Sequence, residues 1–458
     1  MNSKVEDINT FSSAYFIGIG GIGMSAIARY FLSKGWSIGG YDKTPSKLTE
    51  TLVQEGAHIH FEDLGSSIPT EFLSKAGTLV IYTPAVPKAM KELLFFQEEG
   101  FTVKKRAEVL GMITRDSKAL CVAGTHGKTT TSSMLAHVLN QSSFKCSAFL
   151  GGISTNFNSN FIGSTESELT VIEADEFDRS FLRLKPFASI VTTTDADHLD
   201  VYNDDTAFQK SFQDYADLID SDGFLIHQAN VALRHKNSIS YAMNSAADVE
   251  GKNERFEKGK YIIDVISSDF EWKDVVLGLP GTHNAENALA CIALLLKLGV
   301  EENEIRDGLE SFLGVKRRFE FQIRTTELVY IDDYAHHPTE IKALIDAVRK
   351  LYPEKKITGV FQPHLFSRTR DFFDGFVEQL SRLDELVLLP IYPAREEPID
   401  GVTSDALIDK ITSKNKGLMS PLNAIEHLAK SENDIILTIG AGDIDRIVEP
   451  LKTRLEQR

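Results

Sequence analysis

The sequence is poor in cysteine and has no long apolar run, and each absence excludes a class of protein. Its three cysteines, Cys121, Cys146 and Cys291, are too few for a disulfide framework and form no metal-binding motif, so we expect buried, reduced thiols. No apolar run is long enough to span a bilayer, and the amino-terminal "MNSKVEDINTFSS" is acidic and polar, unlike a signal sequence. We therefore expect a cytoplasmic protein with no membrane partner.

Basic charge is also in deficit, because the 458 residues carry a formal net charge of −17. Long-range repulsion from phosphates argues against nucleic acid as a partner. Small anionic ligands remain compatible, since backbone amides, helix amino termini and divalent cations can hold them locally. The chain is too long for one ordinary hydrophobic core, so about two to four domains are expected.

Strand-like and helix-like runs alternate along the chain, as where "AYFIGIG" is followed by "MSAIARYFLSKG". This alternation predicts an α/β protein with mostly parallel sheets. The pattern starts again at "KALCVAGTHGKTTT" and after "GVKRRFEFQ". With a glycine-rich loop after the first strand of each of the first two units, "GIGGIG" and "GTHGKT", it predicts a Rossmann-like domain over 1–110, a central P-loop ATPase-like domain over 111–321 and a C-terminal Rossmann-like domain over 322–458. The more polar stretch from about 235 to 275 predicts an antiparallel edge or a peripheral hairpin.

The first glycine-rich loop is "FIGIGGIGMS", in which Gly18, Gly20 and Gly23 follow an apolar strand and precede a helix. With Asp42 about twenty residues on, the spacing fits the dinucleotide fingerprint. Taken alone it predicts an NAD-dependent oxidoreductase. The loop has no lysine, however, and such a helix amino terminus also suits a diphosphate that is held without being broken.

The second glycine-rich loop is "VAGTHGKTTTSSM", where Gly124, Gly127, Lys128 and Thr129 form G-x-x-G-K-T between a strand and a helix. Glycines allow backbone amides to approach phosphate oxygens, a lysine neutralises β/γ charge and a threonine hydroxyl reaches Mg²⁺. The plainer alternative is a glycine turn capped by threonines. The loop favours a nucleotide whose phosphate leaves, which an oxidoreductase does not need. A nucleotide-regulated binding protein without turnover remains a further alternative.

Two acidic segments follow strands and could supply a metal ligand. Glu173 ends the strand "LTVIE", and "TTTDADHLD" carries Asp195, Asp197, His198 and Asp200. Open α/β sheets place ligands at these strand ends, and ATP-dependent transfer needs a carboxylate on Mg²⁺. Glu173 is the better candidate because it ends its strand directly, whereas histidine is a less usual magnesium ligand. The alternative for both segments is solvated loop charge with helix capping.

With "AGTHGKTTT", "EADEFDRSF" and "DADHLD" in order, the sequence resembles the Mur ligase family of ATP-dependent amide-forming enzymes in peptidoglycan precursor synthesis. "LPGTHNAENALA", "GVKRRFE", "DDYAHHPTE" and "FQPHLFSRT" extend the resemblance over nearly the whole chain. "GIGGIGMS", "RRFE" and "HHPTE" are most similar to the member that adds the first amino acid, which implies UDP-N-acetylmuramate, L-alanine and ATP as substrates. The nearest alternative is the recycling member, which attaches a preformed peptide to the same acceptor.

The resemblance also implies residue roles, with domains for the UDP-substrate, for ATP and for the amino acid in chain order. It implies catalytic roles for Lys128, Arg318 and His198. It also implies two Mg²⁺ ions, with Thr129, Glu173 and His198 as their ligands. The implied ATP contacts are Gly124, Thr125, His126, Gly127, Lys128, Thr129, Thr130, Asn284, Arg318 and Asp333. The implied substrate contacts are Gly20, Gly21, Gly23, Asp42, His337, His364 and Arg368. Thr193 and Leu365 depart from the family, which often has asparagine and arginine there. A monomer or weak homodimer is expected.

Overall fold

The computed structural model describes residues 8–195, 205–257, 259–394 and 396–457. These residues form three sheets flanked by helices, which confirms the predicted three-domain α/β architecture with mostly parallel sheets. Contacts group the chain into two compact units: unit 1 contains Met1–Gly278 and Thr282–Phe312, and unit 2 contains Leu279–Gly281 and Leu313–Arg458. The predicted boundaries of the three domains stay a prediction. In the described part of the chain, no helix has the length and apolar character of a membrane span.

The first sheet, in unit 1, is parallel throughout and has the strand order β3-β2-β1-β4-β5. Every residue of the central strand β1 is buried, because the sheet is covered on both faces. Its strands are β1 Ser13–Ile17, β2 Ser37–Tyr41, β3 His58–His60, β4 Thr78–Tyr82 and β5 Thr102–Lys105. Its helices are α1 Ile22–Ser33, α2 Lys47–Gln54, α3 Lys91–Glu98 and α4 Arg106–Arg115.

The second sheet, also in unit 1, has the order β15-β14-β13-β12-β11-β10-β6-β9-β7-β8. Its strands are β6 Lys118–Ala123, β7 Ser147–Ser154, β8 Ser159–Ile162, β9 Leu169–Glu173, β10 Ala188–Val191, β11 Phe224–Gln228, β12 Ser238–Met243, β13 Val249–Glu257, β14 Lys260–Ser267 and β15 Glu271–Leu277. Its helices are α5 Lys128–Gln141, α6 Asp205–Ala216, α7 Thr282–Leu298 and α8 Glu302–Glu310. The pairs β13–β14 and β14–β15 are antiparallel, which confirms the predicted antiparallel edge.

The third sheet, in unit 2, has the order β16-β17-β21-β18-β19-β20, and only its edge strand β16 runs antiparallel. Its strands are β16 Glu320–Arg324, β17 Val329–Asp333, β18 Ile357–Phe361, β19 Glu385–Leu388, β20 Asn415–Leu418 and β21 Ile435–Ile439. Its helices are α9 Pro338–Leu351, α10 Phe366–Asp371, α11 Phe373–Leu380, α12 Ser404–Lys410, α13 Pro421–Lys430 and α14 Asp445–Glu456. The sheet places the carboxyl ends of β17, β18 and β21 at one edge.

Within unit 1, helix α1 connects the first sheet to the second. The fully buried side chain of Asn160, on β8, donates to the Ser25 hydroxyl at 2.9 Å and to the Ile22 carbonyl, and accepts from Arg29. Arg29 is also paired with Glu55 at 2.7 Å. The amino-terminal turn of α1 is therefore fixed to the edge of the second sheet by buried hydrogen bonds. Each polar atom of the Asn160 side chain has a partner, as buried polar groups require.

Candidate functional site

The first glycine loop connects β1 to α1 and packs closely against its neighbours. Gly18 has φ +90°, and a Cβ there would lie 2.6 Å from Thr83. The Gly20 amide donates to Asp42 Oδ2 at 2.7 Å, so the aspartate that follows β2 braces the loop. Gly21 precedes the first turn of α1. The loop thus has the glycine geometry that the sequence predicts, with first-turn amides that have no partner within the helix.

Arg106 lies over the first turn of α1, and its guanidinium occupies the space that a side chain at Gly23 would need. Arg106 also pairs with Asp175 at 3.3 Å, across to the segment that follows β9. The side chains of Arg106 and Asp175 are 26% and 37% exposed, so this cation faces water beside the loop. Sequence reasoning missed Arg106, because nothing in "VKKRAEVL" distinguishes it from a surface arginine.

The second glycine loop connects β6 to α5, and its glycines are required by their conformation. Gly124 has φ +128° and Gly127 has φ +83°, a region that side chains other than glycine adopt at a cost. A Cβ on Gly127 would lie 2.8 Å from Asn287 Oδ1, and one on Gly124 would clash with Thr192. Thr129 and Thr130 are buried in the first turn of α5, while His126 is exposed at the tip of the loop.

The residues after β10 hold the second glycine loop in place. The Thr193 carbonyl accepts from the Thr125 amide at 3.0 Å, and the Thr193 hydroxyl accepts from the His126 amide at 3.1 Å. The Thr125 hydroxyl donates to the Asp195 carbonyl at 2.8 Å. Thr193, the position where the family often has asparagine, therefore makes a side-chain contact that shapes the loop.

Lys128 is the first residue of α5, and its ammonium is fully engaged. Nζ donates to the Gly124 carbonyl at 2.6 Å and to the Thr125 carbonyl at 3.2 Å. It also lies 2.9 Å from both carboxylate oxygens of Glu176, whose side chain is 1% exposed. Burial raises the pKa of the Glu176 carboxyl, and the charge of Lys128 opposes that rise. Sequence reasoning missed Glu176, although it lies within the quoted "EADEF".

Glu173 ends β9, as predicted, and its carboxylate accepts from the Gly151 amide at 3.2 Å. Thr129 and Glu173 offer a hydroxyl and a carboxylate, the oxygen donors that Mg²⁺ prefers. His198, with Asp197 and Asp200, lies outside the described residues. Among the residues that are described, no group of three or more histidine, cysteine or acidic side chains forms a metal cluster.

Two asparagines of α7 lie on the helix face that packs toward α5. Asn284 and Asn287 are 3% and 6% exposed and are three residues apart, so they share one face. Asn287 Oδ1 is the atom nearest to the position that a Cβ of Gly127 would take. Asn284, a predicted ATP contact, therefore lies one helical turn from Asn287, whose side chain packs against the second glycine loop. Asn287 was missed, although the i, i+3 spacing signals it.

In unit 2, the carboxyl end of β17 carries Asp333. Its carboxylate accepts from the Phe319 amide at 2.7 Å and from the Ala335 amide at 2.8 Å. Removal from water raises the pKa of Asp333 to about 6, against the opposing effects of these amides and of Arg318. Arg318 is exposed, whereas its neighbour Arg317 is tied to Asp332 at 3.2 Å and to the Gly440 carbonyl at 2.6 Å.

Three histidines and an arginine cluster beyond the same edge of the third sheet. His364 Nδ1 accepts from Arg368 at 3.1 Å, and the ring stacks on Tyr392. Burial, followed by the charge of Arg368, lowers the pKa of His364 to about 4, so the ring is neutral near pH 7. His336 lies edge-on to His364 with a ring separation of 6.3 Å, and burial lowers its pKa too. His337 caps α9 and packs edge-on against Phe372.

The structure therefore groups the predicted residues within each unit. In unit 1 it brings the second glycine loop together with the residues after β10, with Asn287 and with Glu176, and it places the first glycine loop beside Asp42. In unit 2 it brings Asp333 near Arg318, and His364 to Arg368. A surface depression of about 690 Å³ in unit 2 involves other residues, among them Thr325, Lys356 and Asp434, at the amino ends of the strands. It contains none of the predicted site residues.

Models of the Mur ligase family match the chain in three consecutive segments. The segment 13–118 matches "Mur ligase family, catalytic domain", and 122–295 matches "Mur ligase middle domain". The segment 317–442 matches "Mur ligase, glutamate ligase domain". Together they contain both glycine loops and the edge of the third sheet.

Similar proteins extend this likeness over the full length. The chain is 49% identical to a UDP-N-acetylmuramate–L-alanine ligase of Parabacteroides distasonis over 97% of this chain and 98% of that protein. It is 51% identical to the ligase of the same name from Flavobacterium psychrophilum, over 99% of this chain and 100% of that protein. The crystal structure of the UDP-N-acetylmuramate–alanine ligase of Thermotoga maritima superposes with a TM-score of 0.83 at 28% identity, over 97% and 99%. A murein peptide ligase from Psychrobacter arcticus shares the fold, with a TM-score of 0.70 at 23% identity over 98% and 99%.

Proposed function

The chain belongs to the Mur ligase family, and from that membership we propose that it joins L-alanine to the lactyl carboxylate of UDP-N-acetylmuramate while converting ATP to ADP and phosphate. The observation that carries the proposal is the full-length likeness, near 50% identity, to ligases of that name. The second glycine loop supports it independently, because a lysine at the start of a helix beneath a glycine turn suits a phosphate that is transferred.

We propose that ATP binds over the second glycine loop. The loop fits a phosphate, since Gly124 and Gly127 take the positive φ values that the turn needs and the first-turn amides of α5 have no partner within the helix. Lys128 would contact the β and γ phosphates, and Asn284 would contact adenine. Thr125, His126 and Thr130 complete the proposed loop contacts.

The donor set at this loop also fits magnesium. Thr129 and Glu173 would hold one Mg²⁺ ion, and His198 is proposed for a second, which would neutralise phosphate charge when bound. The hydroxyl of Thr129 lies in the first turn of α5 and Glu173 ends the neighbouring strand β9, so both belong to the same edge of the second sheet.

The first glycine loop is proposed to hold the diphosphate of UDP-N-acetylmuramate through the amides near Gly20, Gly21 and Gly23. Asp42 would support this contact by bracing the loop, as its bond to the Gly20 amide indicates. No group that could attack or protonate a phosphate is needed there, because this diphosphate serves only to anchor the substrate.

In unit 2, we propose that Arg318 neutralises charge on the transferred phosphoryl group and that Asp333 contacts the ATP ribose. The exposure of Arg318 supports its role, because its guanidinium is available to a ligand. His337, His364 and Arg368 are proposed to place the amino acid. Neutral His364 accepts from Arg368 and so orients that cation.

The proposed reaction forms an amide, which is uphill in water unless the carboxylate is first activated. A lactyl carboxylate oxygen would attack the γ-phosphorus, breaking its bond to ADP and giving an acyl phosphate. The neutral amine of L-alanine would then attack the acyl carbon, losing a proton as phosphate leaves. Lys128 and Arg318 would offset the repulsion among these anions, and one such preorganised group is typically worth about 10²- to 10³-fold in rate.

The alternatives are not favoured. An NAD-dependent oxidoreductase leaves Lys128 and Glu173 without a role. The recycling ligase shares the fold, yet the solved murein peptide ligase is only 23% identical. We propose a cytoplasmic enzyme, since the three cysteines are all free and buried. A monomer or weak homodimer remains part of the proposal.

Phosphate release measures the proposed function directly. With ATP, Mg²⁺ and UDP-N-acetylmuramate, we expect release on addition of L-alanine and not on addition of a preformed tripeptide. Lys128→Ala should abolish release while leaving UDP-N-acetylmuramate binding largely intact. Release with the tripeptide alone would identify the recycling activity, and turnover of NADH without ATP would indicate the oxidoreductase.

A further inference from the structure

The ammonium of Lys128 has all of its hydrogen-bond donors directed at partners within the chain. A lysine has three N–H donors, and here they face the Gly124 carbonyl, the Thr125 carbonyl and the Glu176 carboxylate. Both Glu176 oxygens lie 2.9 Å from Nζ, and the Lys128 side chain is only 14% exposed. A phosphate that is to contact Nζ must therefore replace an existing partner.

Of the three partners of the Lys128 ammonium, Glu176 is the one that competes most directly with a phosphate, because it is the only one that carries a negative charge. The two carbonyls belong to the loop itself, whereas Glu176 belongs to the segment after β9 and begins a short 3₁₀ helix, Phe177–Arg183. It is a buried anion, and such a group is stable only with a cation beside it. Because its carboxylate lies 2.9 Å from Nζ, its charge would repel a phosphate that approaches Lys128 as well as compete with it.

We propose that Glu176 is a positioning residue that holds the Lys128 side chain by its ammonium and competes with nucleotide phosphates for that ammonium. This inference rests on the proposed function, since it takes ATP as the ligand of this loop. The triphosphate carries enough charge to displace Glu176 from Lys128. Once the γ-phosphoryl group has been transferred, Glu176 recaptures the ammonium from the less charged ADP and so favours product release.

The isosteric substitution Glu176→Gln tests the competition, because it removes the charge and keeps a hydrogen-bond acceptor. We expect the Kd of Mg·ADP, measured by titration calorimetry on the full chain without other substrates, to fall about tenfold or more, since the competing buried charge is gone. Inhibition of phosphate release by ADP should become stronger by a similar factor. A purely structural role for Glu176 predicts the opposite, namely weaker binding.

The matched control is Glu166→Gln, which removes the same charge from an exposed position ahead of β9 and should leave the Kd of ADP unchanged. Folded Glu176→Gln protein with unchanged or weaker ADP binding would overturn the inference. If that variant does not fold, Glu176→Asp lengthens the contact with Lys128 and should still tighten ADP binding by about threefold; its failure to do so also counts against the inference. Wild-type protein that binds neither ATP nor ADP would contradict the proposed function instead.

Discussion

At the scale of single residues, two adjacent arginines of unit 2 have opposite surroundings. Arg317 has φ +62°, which turns its side chain to Asp332 and the Gly440 carbonyl, with its guanidinium 5.2 Å from the ring centre of Tyr334. Arg318 is exposed and influences Asp333 only through its charge. The same residue type therefore stabilises the fold at one position and is available to a ligand at the next.

This contrast gives a paired prediction. Arg318→Ala should reduce kcat by about 10²- to 10³-fold with an unchanged melting temperature, because it removes an exposed charge that we propose to neutralise the transferred phosphate. Arg317→Ala should lower the free energy of unfolding by about 2–3 kcal/mol, because it removes the charged hydrogen-bond partner of the buried Asp332. Phosphate release and urea unfolding measure the two effects. An Arg318→Ala enzyme with full activity would refute the assigned role.

A pH dependence follows from the pKa of Asp333, which is about 6. As the pH falls through 6, this carboxylate takes up a proton and loses acceptor capacity, so we expect the KM for ATP to rise. Its folded pKa lies above the unfolded value, so the linked contribution to stability is present at low pH and is lost as the pH rises through about 4 to 6. Asp333→Asn should abolish this dependence of KM, and a KM that stays constant between pH 5 and 7.5 in the wild type would contradict the ribose contact.

The sequence predicted the positions of some candidate side chains better than others, for physical reasons. The positions of Lys128 at the start of α5 and of Glu173 at the end of β9 could be predicted because the order of strand, loop and helix determines them. Glu176 and Asn287 could not, because their contacts with the loop depend on how β9 and α7 pack against α5. The contact of Thr193 could not be predicted either. Nothing in the run of threonines indicates which hydroxyl accepts a hydrogen bond from the His126 amide of the loop.

At the scale of elements, the turn that begins α5 depends on Gly127. Gly127→Ala should raise the Kd of ATP at least about tenfold, because the added Cβ must displace Asn287 in addition to the strain of about 1 kcal/mol at positive φ. Gly299→Ala is the matched control, with φ +90° and no atom within 4 Å of the added Cβ. Gly127→Ala should lose at least as much stability as Gly299→Ala in thermal unfolding, because both variants share the positive-φ strain and only the first also displaces Asn287. Equal nucleotide affinity in calorimetry would show that the turn is not the phosphate site.

Strands and helices with strong apolar patterns were predicted close to their observed positions. The helix expected from "MSAIARYFLSKG" is α1, Ile22–Ser33, and the strand expected from "SIGGYD" is β2, Ser37–Tyr41. The β7–β8 hairpin was not predicted, because "SAFLGGISTNFNSNFI" contains glycines and asparagines that interrupt the alternation. Its role became visible only through Asn160, which contacts α1.

At the scale of the whole molecule, the formal charge of −17 opposes substrates that are themselves polyanions. Binding therefore requires local neutralisation, for which we propose Lys128, Arg318 and a divalent metal ion. We expect chelation by EDTA to abolish phosphate release, Mg²⁺ to restore it, and Ca²⁺ to restore it poorly because its coordination is looser. Full activity in EDTA would exclude the proposed metal ligands. Sodium chloride at equal ionic strength controls for simple screening.

The three sheets were predictable from the restarting alternation of strands and helices, but their grouping was not. The first and second sheets belong to one compact unit, and buried polar contacts such as those of Asn160 with α1 contribute to it. A side chain that joins two sheets from a turn-rich hairpin carries no periodic signal. Such contacts depend on distances between elements that only the folded chain defines.

The distribution of thiols has a practical consequence. Cys121, Cys146 and Cys291 are all buried in unit 1, and the sequence places no cysteine in unit 2. A thiol reagent should therefore leave the native protein unlabelled and react only when unit 1 unfolds. The rate of labelling then measures the unfolding of unit 1 alone. For the same reason, one cysteine introduced on the surface of unit 2 would accept a fluorophore selectively, without removal of any natural residue.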